Sequence, residues 1–104
     1  MVDPSVRKVT AGELRALFGR EDYCGRVVRG ELLQVVLKDR HPSLPRANEP
    51  YCTRSQLVGF VDPAGVRVAL VHRYLRVDGS LGASGLPDPK RLILEGIHYY
   101  VGVP

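Results

Sequence analysis

Apolar positions near the start of the chain recur at helical spacing, and those in its second half alternate. Leu14, Leu17 and Phe18 share one face of a 3.6-residue period, with Glu13, Arg15 and Arg20 left on a solvated face. Thr10-Ala11-Gly12-Glu13 fits a capping box, in which the threonine hydroxyl accepts from the helix start and the glutamate reaches back. Gly19 is a natural stop, so a helix of about two or three turns is expected here. From Gly25 to Lys38 the pattern is mixed. Leu32, Leu33, Val36 and Leu37 suit a helix, whereas Leu33, Val35 and Leu37 suit a strand; the valine pair and Gly30 favour strand. Asp39 to Arg54 reads as a long loop, stiffened by Pro42, Pro45 and Pro50 around Asn48.

Two hairpins follow. Leu57–Val61 and Val66–Leu75 flank Asp62-Pro63-Ala64-Gly65, where proline suits the second position of a type I turn and glycine the left-handed position after it. Arg91–Leu94 and Ile97–Val101 flank the tight connection Glu95-Gly96. Between them lies Val71 to Lys90, a strand end followed by a loop with glycines at 79, 82 and 85, Ser80 and Ser84, and a Pro-Asp-Pro-Lys exit. The expected fold is α+β: one domain over residues 1–104, a short N-terminal helix packed on an antiparallel sheet of about four or five strands. Such a sheet buries one face under its helix and leaves the other to solvent or a partner.

Composition changes this picture little. An apolar fraction of 44% and a charged fraction of 25% are ordinary for a folded domain. The net charge of +4 and a pI near 9.4 are spread along the chain without a polybasic block, and favour a polyanionic partner weakly. Cys24 and Cys52 lie far apart outside any C-x-x-C pair, and no apolar leader or membrane-length run is present. The expectation is a cytoplasmic protein with two reduced, mostly buried thiols and no membrane association.

The candidate chemistry lies on the central strand and its exit. Alternation puts Val66, Val68, Leu70, His72 and Tyr74 on one face and Arg67, Ala69, Val71, Arg73 and Leu75 on the other. His72 is the first candidate for proton transfer, because histidine alone titrates near neutral pH unperturbed; the competing reading is a strand-end histidine bonded to a backbone carbonyl. His98 shares a face with Tyr100, and His41 sits in the proline loop without spacing logic. Arg73, Arg76, Lys90 and Arg91, with the hydroxyls of Ser80 and Ser84, could hold phosphate beside His72. Tyr74, Tyr99 and Tyr100 could stack bases, although such tyrosines more often pack across strands.

Other chemistries lack their signatures. The glycine loop matches neither G-x-x-x-x-G-K-[ST] nor G-x-G-x-x-G, Ala83-Ser84-Gly85 is no nucleophile elbow, and the cysteines and histidines lack zinc-ligand spacing. No metal or cofactor is implied. The element order, with basic, histidine and tyrosine side chains on a sheet, loosely resembles small ribonucleases of the barnase and RelE-toxin kind. That likeness implies metal-independent RNA cleavage, with His72 and Tyr74 as catalytic residues and Arg73, Arg76, Arg91 and Lys90 on phosphate. The leading expectation is therefore a small RNA-directed protein, in its finer form a toxin-type endoribonuclease. The alternative is a non-enzymatic protein-interaction or regulatory module that uses the exposed sheet face and the loops 39–54 and 78–89.

Overall fold

The computed structural model describes residues 5–41, 48–82 and 85–102. In chain order they form β1 (Val6–Lys8), α1 (Ala11–Arg20), α2 (Tyr23–Val28), β2 (Leu33–Arg40), β3 (Arg54–Val61), β4 (Arg67–Leu75), β5 (Asp88–Leu94) and β6 (Ile97–Tyr100). The class is α+β as expected, but the sheet has six strands, in the order β1-β6-β5-β4-β3-β2. It is mixed rather than purely antiparallel, since β1 joins β6 in parallel.

α1 begins where the capping box places it. The Thr10 hydroxyl accepts from the Glu13 amide at 3.1 Å, and the Glu13 carboxylate accepts from the Thr10 amide at 3.0 Å. The helix runs through Gly19 to Arg20. A second helix, α2, stands where a strand was favoured. Its six residues contain Gly25, Val27 and Val28 and have little helical propensity, so packing holds it. Tyr23 is 1% exposed, stacks on Phe18 at 5.5 Å between ring centroids, and donates its hydroxyl to the Ile93 carbonyl at 3.1 Å.

Leu14, Phe18 and Tyr23 from the helices meet Val58, Phe60, Ala69, Val71 and Leu92 from β3, β4 and β5 in one core, with Leu32 alongside. These strand residues share one face, so both helices cover the same side of the sheet. No described helix is long and apolar enough to cross a membrane.

Both predicted hairpins form. The Asp62 carboxylate accepts from the Ala64 and Val66 amides at 2.9 Å each, and Gly65 takes φ 84°. Glu95 and Gly96 both adopt positive φ, as a tight two-residue hairpin turn requires. The long loop is shorter than expected at both ends, because β2 reaches Arg40 and β3 starts at Arg54; Pro42, Pro45 and Arg46 lie outside the described residues. The Pro-Asp-Pro-Lys exit is likewise drawn into β5 from Asp88 onward. Both cysteines are exposed rather than buried.

Candidate nucleic-acid interface

The side of the sheet away from the helices is uncovered. Register defines it, because directly opposed residues project to the same face. One continuous row crosses all six strands: Val35, Gly59, Leu70, Arg91, Tyr100 and Lys8. Beside it lie Leu57 with His72, Ser55 with Tyr74 and Arg40, and Ile93 with His98 and Val6. Register thus puts His72 and His98 on the same side of the sheet, but they line different hollows.

Two bulges shape this face. Between Phe60 and Val61 the pairing advances one residue on β3 and two on β4, which makes Val68 the extra residue. Arg67 is thereby turned away from the core side where simple alternation put it. Its Cδ lies where a side chain at Gly59 would project, on the face opposite Val58 and Phe60. The absence of a Cβ at Gly59 makes room for it. A second bulge places Lys90 as the extra residue of β5 opposite Leu70 and Val71.

A hollow of about 280 Å³ opens on this face, lined by Arg67, Leu70, Arg91, Ile93, His98 and Tyr100 among others. Electrostatics separates the two sides of the molecule. Arg15, Arg20, Arg26, Arg29, Arg54, Arg76 and Lys90 each contact a carboxylate. Lys8, Lys38, Arg40, Arg67 and Arg91, which register assigns to the uncovered face, make no ion pair among the described residues. Positive charge is thus mostly neutralised around the helices and rim, where Arg7 and Arg73 are the described cations without an ion pair, and five unpaired cations lie on the open face.

The residues singled out on the central strand are divided among three places. His72, Arg73, Tyr74 and Lys90 line one cleft of about 620 Å³ with Phe18, Cys24, Leu86 and Asp88. In it the His72 Nε2 and the Ser55 hydroxyl are 2.7 Å apart, and the Tyr74 ring stands edge-on to the imidazole at 4.7 Å. Burial holds the His72 pKa below its usual value and the nearby Lys90 charge adds to this, with Asp88 opposing. Lys90 itself is paired to Asp88 at 2.8 Å, and Asp88 also reaches Arg15 at 3.7 Å. Arg73 belongs to the core side and donates to the Gln56 side-chain oxygen at 2.9 Å, its pKa lowered chiefly by burial.

Arg76 stands in a second place, a hollow with His41, Cys52 and Arg54, where Glu49 accepts from its guanidinium at 2.9 Å. Arg91 belongs to the open-face hollow. The glycine loop spends its donors on itself. The Ser80 amide and hydroxyl both donate to the Asp78 carboxylate, at 2.9 and 2.6 Å. The amides of Gly79, Gly82 and Gly85 donate to the carbonyls of Arg76, Tyr74 and Gly82. Leu81 pairs back onto Leu75, so the described part of the loop is a folded extension of β4 and no ready cradle for an anion. Ser84 lies outside the described residues.

Sequence reasoning missed Arg67, Lys38, Arg40 and Lys8 as members of the candidate surface. Their only prior signal was positive charge; strand order and a bulge were needed to gather them. Among the described residues, no group of three or more histidine, cysteine, aspartate or glutamate side chains could hold a metal ion. No family model, curated protein or solved structure matches this chain.

Proposed function

We propose that the uncovered sheet face binds single-stranded nucleic acid, with RNA as the expected partner. The observation that carries this reading is the concentration of unpaired charge: Lys8, Lys38, Arg40, Arg67 and Arg91 have no carboxylate partner among the described residues and share one face with His98 and Tyr100. Unneutralised cations reward phosphate through counterion release, and flat aromatic faces reward unstacked bases whatever their identity. An open sheet offers both to a splayed strand, whereas a duplex hides its bases.

The finer reading, cleavage by His72, draws less support. The His72 Nε2 is engaged with Ser55, the adjacent cation Lys90 is paired to Asp88, and Arg73 and Arg76 are committed to Gln56 and Glu49. A protein-interaction reading draws on the apolar side chains exposed along β2.

Fluorescence anisotropy with a labelled single-stranded RNA in EDTA tests the reading. Wild type should bind with a steep salt dependence. In the double variant Arg67→Ala/Arg91→Ala, the slope of log K against log salt should be shallower by roughly 1 to 1.5, the loss expected for two phosphate contacts on a single strand. Binding insensitive to salt, or unchanged in the double variant, would sink it. Incubating the same RNA with wild type and His72→Ala decides the catalytic version, since cleavage lost with His72 is its required result.

A further inference from the structure

The sheet has two edges of different character. One ends in β1, only three residues long and followed at once by the capping box of α1. The other ends in β2, eight residues with no described strand on its outer side, and every one of them exposed. Its first five residues are Leu-Gln-Val-Val-Leu, and Leu33, Val35, Val36 and Leu37 are exposed by 67%, 37%, 45% and 42%. A long outer edge usually carries charge, proline or an inward-pointing cation as protection against pairing. Here the charges, Lys38, Asp39 and Arg40, come only after the bulge at Leu37.

From these features we infer that β2 pairs antiparallel with β2 of a second copy of this chain. The two-fold axis passes through Val35. Leu33 then stands opposite Leu37, Gln34 opposite Val36, and Val35 opposite itself. On one face Leu33 meets Leu37, the bulged residue, and Val35 meets itself; on the other Val36 meets Gln34. The charged residues 38–40 lie beyond the paired segment on opposite sides of the axis, so no like charges are opposed within it. Other apolar partners would also fit an exposed valine row, but the face carrying Leu33, Val35 and Leu37 matches itself under a two-fold rotation, which is the reason to choose a second copy. Because β1 leaves no comparable edge, the pairing closes on two copies.

The geometry of that axis has a consequence for the open face. An antiparallel two-fold pair needs the axis perpendicular to the sheet, which keeps the same face of both copies on the same side. The row from Lys8 through Arg91, Leu70 and Gly59 to Val35 continues across the axis into its own mirror order. Two uncovered faces, with their unpaired cations, become one surface of twelve strands, twice the six of one chain. The self-pairing stands independently of the nucleic-acid reading, because it draws only on β2.

Sedimentation equilibrium of the purified chain tests the pairing across about 1 to 500 μM, without nucleic acid. The mass should rise from 11.5 kDa to twice that value as concentration increases. Val35→Lys sets two lysines face to face on the axis and should stay at the single-chain mass throughout. Val77→Lys, at a position 80% exposed and outside the paired segment 33–37, should behave as wild type. A second variant reads the register directly. In a Cys24→Ser/Cys52→Ser background, Val35→Cys brings its Cα atoms about 4.5 to 5.5 Å apart, within disulfide range, and should cross-link under mild oxidation. Lys38→Cys, off the axis, should not. A wild-type mass that never rises, equal association by Val35→Lys, or equal cross-linking at both positions overturns the inference.

Discussion

At His72, burial and the charge on Lys90 both disfavour the imidazolium, so folding binds protons less well there than the unfolded chain does. The sign follows: where the unfolded state binds more protons, stability rises with pH. His72 therefore lends stability that is complete above about pH 6.5, the unperturbed histidine value, and is lost as the pH falls below it. Thermal melts between pH 7.5 and 5 should show a decline that is flattened in His72→Gln. Glu13 and Asp78, whose carboxylates are held low by hydrogen bonds to Thr10 and Ser80, contribute only at more acid pH. An undiminished slope in His72→Gln over that range would refute the assignment. His72 was legible in the sequence as a residue with chemistry, but its partner Ser55 was not, because the two are joined only by the register of β3 on β4. The cysteine expectation failed for a comparable reason. A thiol's usual burial says nothing about which side of α2 faces the core, and Tyr23 took that side, leaving Cys24 exposed, with its pKa raised mainly by partial desolvation of the thiol and further by Asp22.

The loop between β4 and β5 is tied to the segment before β3 through Glu49. Glu49, whose side chain is 5% exposed, pairs with Arg76, and its carboxylate lies where a side chain at Gly82 would project. Gly82→Ala should therefore destabilise the protein by about 1 to 3 kcal/mol, as overpacking of an ordered site does. Gly19→Ala makes the contrast, since that position in α1 has open space around it and should gain about 0.5 to 1 kcal/mol from reduced backbone freedom. Chemical denaturation of both variants checks the pair; equal effects would mean that the contact at Glu49 is not restrictive. Elements with local causes were the ones legible beforehand. The capping box of α1 and the two turns act within four residues of themselves, so their sequences specify them. α2 has no such local cause, and its glycine and valines argue against it until Phe18 and Ile93 supply the packing and the acceptor. The glycine loop looked permissive because glycine spacing reports backbone freedom; the carbonyls that capture its amides are visible only once the loop has folded on β4.

For the whole molecule, fold class was legible and strand order was not. Alternation marked β3, β4, β5 and β6, because each presents one buried and one open face, whereas β2 is exposed on both and β1 is too short to show a period. The candidate surface depends on the order that was hidden. Its cations come from β1, β2, β4 and β5, and only adjacency across the sheet makes them one field. Arg67 joins them through a one-residue bulge that reverses its direction. The parallel pairing of β1 with β6 spans nearly the whole chain, from Val6 to His98. It also occupies the outer side of β6. A chain trimmed of its residues up to Lys8 would present one free edge at β6 and another at β2. Association at both edges no longer terminates, and particles that had stopped at pairs would grow end to end into sheets of indefinite length. Dynamic light scattering that increases continuously with concentration for the trimmed chain, but reaches a plateau for the full one, is the expected result. β1 would then act as a chain terminator for the molecule's own polymerisation, and a plateau in the trimmed chain would show that it has no such role.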